Sequence, residues 1–363
     1  MLDHVEGLAR EVLAPIAKRG GSGHVDRDLV SALGANGLIS KVLSDGEVPA
    51  IELCLIREGL ARVSTHSETA FALQGLGAHP ILTAGRPEVA AEWIPRVAAG
   101  EAVAGFALTE PGAGSDAGAI SLAAEPDGDD FLLTGEKTYI SNAPEAEVYS
   151  VFARTTEGAG VRGITAFVVA GDADGLGGES ISLLSDHAIG RLRFEKVRVP
   201  AGHVLGEVDA GFKVAMTTLD LFRPSVGAAA VGMAQAALDA AAAHVTTREA
   251  FGKRLSEFQG VSHRLADAAT KVQAARLLVH AAATAYDKGI RPSSESAAMA
   301  KLFATEMAQE VIDAAIQVHG ARALERGHLL EHLYRDVRAL RIYEGASEIQ
   351  REIIARRLLQ VAD

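Results

Sequence analysis

Residues 341–350 read RIYEGASEIQ and set one carboxylate, Glu344, between an aromatic residue and a glycine. Gly345 carries no side chain that would keep a ligand from the neighbouring backbone, so the carboxylate stays approachable. The stretch that follows, ASEIQREIIARRLL, has the apolar spacing of a helix, which puts Glu344 just before a helix start. A carboxylate so placed can serve as a general base, or it can be a solvated acid favoured by the helix dipole. The choice depends on what else the chain carries.

Two other stretches offer groups suited to a flat or anionic ligand. FALTEPGAGSD, Phe106 to Asp116, leaves a strand and enters a Gly-rich turn bracketed by Pro111 and Ser115. Backbone N–H groups and the hydroxyls of Thr109 and Ser115 become available there to one ligand. GAGSDAG also resembles a degraded dinucleotide-binding fingerprint, but that motif needs a strand–turn–helix inside alternating βα units, and this region reads as all strand. REAFGKRLSEFQ, Arg248 to Gln259, sets Arg248 and Lys253 around a Phe-Gly turn between two long helices. An arginine there can pair with a pyrophosphate or simply face water.

The elements that must position these groups fall into three segments. Residues 1–102 are Ala- and Leu-rich with helical spacing in LAREVLAPIA, DLVSALGANGL and IELCLIREGLARV. Between 103 and 212, VAGFALTE, FLLTGEKTYI, VYSVFART, ITAFVVA and LRFEKVRVP are short, rich in β-branched or aromatic residues, and separated by Gly, Asp and Pro. No helix-length pattern lies between them, so an antiparallel barrel or sandwich is expected instead of a parallel βαβ sheet. From 213 to 363 long helices return, beginning with an Ala-dense run that lets neighbours approach closely, and a helical bundle follows.

The 363 residues, 48% hydrophobic and 23% charged, have the composition of a soluble globular protein. A net charge of −12 argues against nucleic acid as the main partner. An acidic carrier protein would need a local basic patch, for which Arg351, Arg356 and Arg357 are candidates, although a basic last helical turn more often simply complements the helix dipole. The single cysteine, Cys54, sits among Leu53, Leu55 and Ile56 and is expected to be a buried thiol; it excludes an internal disulfide and a Cys-based zinc site. No signal peptide and no run of about 18 apolar residues is apparent, so a cytoplasmic protein without a membrane span is expected.

The order of helical segment, strands with TEPGAGSD, bundle with RxxFGK, and YEG before a final helix resembles the acyl-CoA dehydrogenase superfamily over essentially the whole chain. The matching strings are FALTEPGAGSD, GEKTYISNA, LRFEKVRVP, LDLFRPSVGAAAVGMAQAALD, REAFGKRLSEFQ, QVHGARAL and YRDVRALRIYEGASEIQ, in the family's order and spacing. The resemblance implies an α+β multidomain fold: an N-terminal α-helical domain (1–102), a middle antiparallel β-barrel or sandwich domain (103–212) and a C-terminal four-helix bundle (213–363).

It also implies FAD, with site residues carried over one by one. Phe106, Leu108, Thr109, Gly114 and Ser115, with Tyr139, Ile140 and Ser141, resemble the strips that hold the flavin ring. Arg248, Phe251, Phe258 and Gln259, with Gln317, Val318, Gly320 and Ala321, resemble the helical contributions to the adenine and pyrophosphate, which in this family serve the FAD of a neighbouring subunit. Ala346 and Glu348 complete the cofactor set. Ser115, Asp220, Phe222, Arg223 and Gly345 resemble substrate-binding positions, Asp220 and Arg223 on the pantetheine arm, and no metal is implied.

Glu344 takes the place of the catalytic base, which removes the α-proton of a thioester while the β-hydrogen leaves as hydride to the flavin. The position that serves as base in some relatives holds Phe222, which cannot do so. A homodimer or homotetramer is implied, together with an electron acceptor, either an electron-transfer flavoprotein or oxygen.

Some positions depart from the family pattern. Tyr139 stands for a Trp, Ala346 for a Thr and Ala321 for the second Gly of a pair, while His187 and Ile189 replace a Ser-x-Thr pair. The region near 41–50 is shorter than usual. Glu68, Ala72 and Leu76 align with positions that line the acyl tail, and with Phe222 they suggest a short or polar acyl group unless Glu68 is exposed. These features resemble the acyl carrier protein (ACP) dehydrogenases of polyketide extender-unit pathways, such as the one making methoxymalonyl-ACP. An ordinary short- or branched-chain acyl-CoA dehydrogenase and a non-catalytic FAD-binding scaffold are the alternatives.

Overall fold

The computed structural model describes residues 1–20, 23–43, 48–290 and 294–360. The expected shortening near 41–50 rests in part on 44–47, which lie outside the described residues.

Helix α1 (Leu2–Leu8) passes through a π turn (Ala9–Leu13) into α2 (Ala14–Ala17); α3 (Arg27–Ala35), α4 (Ala50–Val63), α5 (Thr65–Ala84) and α6 (Pro87–Ala98) follow. Then come strands β1 (Ala104–Ala107), β2 (Ala123–Asp127), β3 (Asp130–Ser141), β4 (Val148–Arg154), β5 (Ile164–Ala170), β6 (Leu176–Ser180), β7 (Ile189–Val199) and β8 (Val204–Leu205). Helix α7 (Gly211–Thr247) leads to a small hairpin, β9 (Glu249–Ala250) and β10 (Lys253–Arg254), and then to α8 (Gln259–Asp287), α9 (Ser294–His319), α10 (Leu329–Leu340) and α11 (Ser347–Gln360).

The chain forms two compact units. One comprises Met1–Ala14, Pro49–Glu68 and Asp220–Asp363; the other comprises Pro15–Val48 and Thr69–Leu219.

The second of these holds an eight-stranded sheet in the order β6-β7-β3-β2-β4-β5-β8, with β1 paired to β4. Its ladders are antiparallel, as the strand spacing predicts, except where β1 and the start of β2 run parallel to β4. VYSVFAR and ITAFVVA are buried nearly throughout, as uninterrupted apolar runs require, whereas β7 alternates between buried and exposed positions. The pattern misses β2 and β6 because AAEPD holds a proline and two acids and LGGES two glycines, none of them strand formers.

In the other unit, α4 packs on α8, and α8, α10 and α11 pack on α9. The small residues of α7 have a visible purpose. A Cβ on Gly232 would lie 2.3 Å from the Glu58 carbonyl of α4, and one on Gly227 would lie 2.8 Å from Val279 of α8. By length and composition α7 alone among the described helices could cross a membrane, yet 67% of its apolar window is buried within the protein, as in a core helix. Cys54 is fully buried on α4, as its neighbours predict.

Candidate active site

In the sheet-bearing unit the Gly-rich turn is fixed from below. Lys137, fully buried in β3, donates from Nζ to the Leu108 carbonyl (2.9 Å) and to Glu110 Oε1 (2.8 Å). Glu110 in turn accepts from the Ser121 amide and hydroxyl and from the Leu122 amide. Burial opposes ionisation of Glu110, but Lys137 and these donors overcome it and hold the carboxyl below its usual range; burial pulls Lys137 down to about 8. The Thr138 amide donates to the Thr109 carbonyl, which ties the strip Phe106–Thr109 to β3.

The outer side of this frame is open. A register shift between Lys137 and Ile140 breaks the β3–β7 ladder, and there Tyr139 adopts φ 56° with its side chain turned outward, 57% exposed. Ile140 is buried, Ser141 and Thr109 are half-buried, and Gly114 and Ser115 are exposed. A Cβ on Gly114 would meet nothing within 4 Å, so the protein's own packing gives no reason for a glycine there. The structure adds Lys137 and Glu110 as the anchor of this strip.

A second group gathers at one end of the helical unit. The β9–β10 hairpin turns at Phe251 (φ 54°) and leaves that ring 95% exposed, with Phe258 edge-on at 6.4 Å and Lys253 Nζ 4.1 Å from the Phe258 ring centre. His244, in the last turn of α7, stacks on His319, in the last turn of α9, at 4.2 Å. That contact brings Arg248 and the segment Gln317–Ala321 to the same end of the bundle, where both Arg248 and Arg322 depress the His244 pKa, after burial. Arg248, Gln259, Gln317, Gly320 and Ala321 are exposed, and Val318 is half-buried.

Glu344 lies in the same unit on a left-handed turn, at φ 52° before Gly345 at φ 92°. Four bonds from three donors pin it. Arg223 Nε (3.3 Å) and Gln350 Nε2 (3.3 Å) reach the Glu344 carbonyl, while Gln350 Nε2 (2.8 Å) and Lys301 Nζ (2.6 Å) reach that of Gly345. Helix α11 begins at Ser347, as predicted. Glu344 Oε2 is buried and, among the described residues, has no hydrogen-bond partner. Burial raises the Glu344 pKa above the usual carboxylate value, and Arg57, Lys301 and Arg223 only partly offset it. The Glu344 side chain is half-buried with one oxygen unpartnered among the described residues, which is not the environment of a solvated helix-capping acid.

Of the other expected positions, Arg223 and Phe222 are buried in α7, and Arg223 pairs with Asp220 at 2.9 Å. Ala346 and Gly345 are half-buried and Glu348 is exposed. Glu68 is 1% exposed and bonded to Arg57, which removes the reading of a surface Glu68. Arg57 and Lys301 were not foreseen. Each nevertheless has a signal, a lone cation on an apolar helical face: Leu53, Arg57 and Leu60 in α4, Ala297, Lys301, Ala304 and Ala308 in α9.

The chain matches three family models: acyl-CoA dehydrogenase N-terminal domain over residues 1–101, middle domain over 105–197 and C-terminal domain over 209–359. It is 37% identical to cyclohexane-1-carbonyl-CoA dehydrogenase of Geobacter metallireducens, over 99% of this chain and 96% of that protein. Among solved structures it superposes on butyryl-CoA dehydrogenase from Megasphaera elsdenii with TM-score 0.92, 32% identity, and 99% and 98% of the two chains covered. It superposes on PigA with FAD and proline with TM-score 0.93 at 26% identity, covering 98% and 96%. The fold is that of a flavoprotein oxidoreductase. The chain belongs to the acyl-CoA dehydrogenase family and is an FAD-dependent enzyme acting on acyl thioesters.

The residues present fit the cofactor. Tyr139 offers an outward aromatic face, the open space over Gly114 admits a flat ring close to backbone, and the exposed Phe251 stands in a group containing Arg248. FAD supplies the two-electron hydride acceptor.

Proposed function

We propose that the chain removes a proton and a hydride from adjacent carbons of a short, polar acyl thioester, with Glu344 as the base. The observation that carries this reading is the buried, partnerless Oε2 of Glu344, whose pKa burial raises. A carboxylate with that environment is a stronger base than one in water. The backbone N–H of Glu344 is the donor this chain contributes to the thioester carbonyl, and pinning the turn fixes that donor's direction. Asp220 and Arg223 meet the pantetheine arm. Thr109, Ser115, Tyr139 and Ser141 hold the flavin ring, and Arg248, Phe251, Gln259 and Gln317 serve the adenine and pyrophosphate across a subunit boundary in a homodimer or homotetramer. The boundaries at 102 and 212 separate the three domains of this reading.

The buried Glu68–Arg57 pair supports a polar acyl group, since both charges belong to the set acting on Glu344. We propose a small hydroxylated acyl group on ACP, as in polyketide extender-unit biosynthesis. The ordinary CoA thioester is the second reading, favoured by the cyclohexane-1-carbonyl-CoA and butyryl-CoA relatives. Flavin is re-oxidised by an electron-transfer flavoprotein or by oxygen.

Two measurements test this. Glu344→Gln keeps FAD and fold but slows substrate reduction of flavin by roughly 10²–10⁴-fold; near-normal reduction moves the base elsewhere. A panel of matched thioesters decides the carrier: faster reduction by hydroxyacyl-ACP than by the CoA ester, weakened by salt, supports the carrier protein. Equal or faster reduction by CoA esters removes it, and a flavin left oxidised by every thioester removes the enzyme reading.

A further inference from the structure

Three cations act on Glu344: Arg57, Lys301 and Arg223. Two of them have a carboxylate of their own. Arg57 donates from Nε to Glu68 (2.6 Å) and from Nη1 to Ser225 (2.8 Å), and Arg223 donates from Nη1 to Asp220 (2.9 Å). Glu68 acts on Glu344 with the sign opposite to Arg57, so the effect of that arginine at Glu344 is offset in part by its own partner.

Lys301 is different. It is fully buried in α9, on the helix that packs against α11, and among the described residues it makes no ion pair. Its Nζ donates to the Gly345 carbonyl at 2.6 Å, one residue beyond Glu344. Glu344 is the matching case, a carboxylate whose buried Oε2 has no hydrogen-bond partner among the described residues. Once the two arginine–carboxylate pairs are set aside, one positive and one negative charge remain in the cluster. We infer that Lys301 is the counter-charge of Glu344, a positioning residue that holds the Glu344–Gly345 turn and keeps the base ionised until it takes the substrate proton.

The remaining charged neighbours do not replace it. Besides Glu344, Lys301 feels Arg223, Glu306 and Glu348. Glu306 is taken by Arg341 (2.7 Å) and the Ser347 hydroxyl (2.6 Å), and Glu348 is an exposed side chain 3.6 Å from Arg351. Tyr343, next to Glu344 in sequence, has its pKa raised by burial and stays neutral. Burial pulls Lys301 itself down to about 8, so its charge is held against a desolvation penalty that the Glu344 carboxylate helps to offset. The two charges therefore support each other. Removing the cation raises the Glu344 pKa further, and the base is protonated over a wider pH range.

This inference rests on Glu344 being the base, and the test separates the two. Lys301→Gln keeps a donor for the Gly345 carbonyl without the charge, Lys301→Met keeps neither, and Lys301→Arg keeps the charge. The rate of flavin reduction at saturating thioester is measured against pH for each FAD-loaded variant, with Glu344→Gln alongside.

The acid limb of the Gln and Met variants is expected to move up by about one to two pH units, a roughly ten- to hundred-fold loss below the wild-type midpoint, and the Arg variant to return towards wild type. A wild-type midpoint in Lys301→Gln overturns the inference and leaves Lys301 as a donor to the turn. Should the Met variant not fold, the Gln variant carries the same decision. Normal reduction by Glu344→Gln instead sinks the base assignment, whatever Lys301 does.

Discussion

Arg57 Nε donates to Glu68 Oε1 at 2.6 Å between side chains only 3% and 1% exposed. A pair this deep is costly to break from one side, because the survivor is a buried charge without compensation, at about 3–5 kcal/mol. Glu68→Ala should therefore lower the melting temperature of the FAD-loaded protein strongly, read by calorimetry. Glu68→Gln should cost less and should shift the pH profile of flavin reduction downward, because Glu68 raises the Glu344 pKa. An upward shift would mean that Glu68 does not act on the base.

The sequence made the chemistry-bearing strings legible because each is local. YEG, TEPGAGSD and RxxFGK carry their turn residues and functional groups within about a dozen positions, and their placement before a helix, after a strand and between helices follows from spacing. What spacing could not show is the support brought from far along the chain. Lys301 reaches Gly345 across 44 positions and Lys137 reaches Glu110 across 27. Strands β2 and β6 were missed for a related reason: they are made by pairing with β3 and β7, not by residues that favour strand.

Glu110 gives the anchor of the Gly-rich turn a pH dependence whose sign is fixed. Its folded pKa is depressed, because Lys137 and the Ser121 and Leu122 amides outweigh burial. Its contribution is present above the ordinary carboxylate pKa and is lost as pH falls through the depressed value. Thermal melts of the holoprotein should show this acid loss, and Glu110→Gln should flatten it while costing roughly 1–3 kcal/mol at neutral pH. An unchanged acid slope in the variant would place the sensitivity elsewhere.

Gly345 tests whether the shape of the turn, apart from its charges, matters for reduction. At φ 92° a Cβ is strained, and it would lie 2.6 Å from Gln350 Nε2, the donor that holds both carbonyls of the turn. Gly345→Ala should cost about 1–3 kcal/mol locally and slow flavin reduction while leaving FAD content unchanged. If the variant reduces flavin at the wild-type rate, the turn tolerates a shift and its pinning is not needed for the reaction.

Phe251 presents the opposite problem, since its ring contributes almost nothing to the chain's own core. A bulky apolar side chain that is 95% exposed, on a non-glycine residue at φ 54°, is a feature the isolated chain does not need. If it serves FAD across a subunit boundary, Phe251→Ala should leave the secondary structure unchanged yet weaken FAD retention. The cofactor binds only the assembled state in that arrangement, so adding FAD should restore the oligomer by linkage, measured by light scattering with and without cofactor. A strict monomer that holds FAD tightly, or a variant with wild-type FAD affinity, would remove the cross-subunit role and leave the exposure of this ring without a purpose.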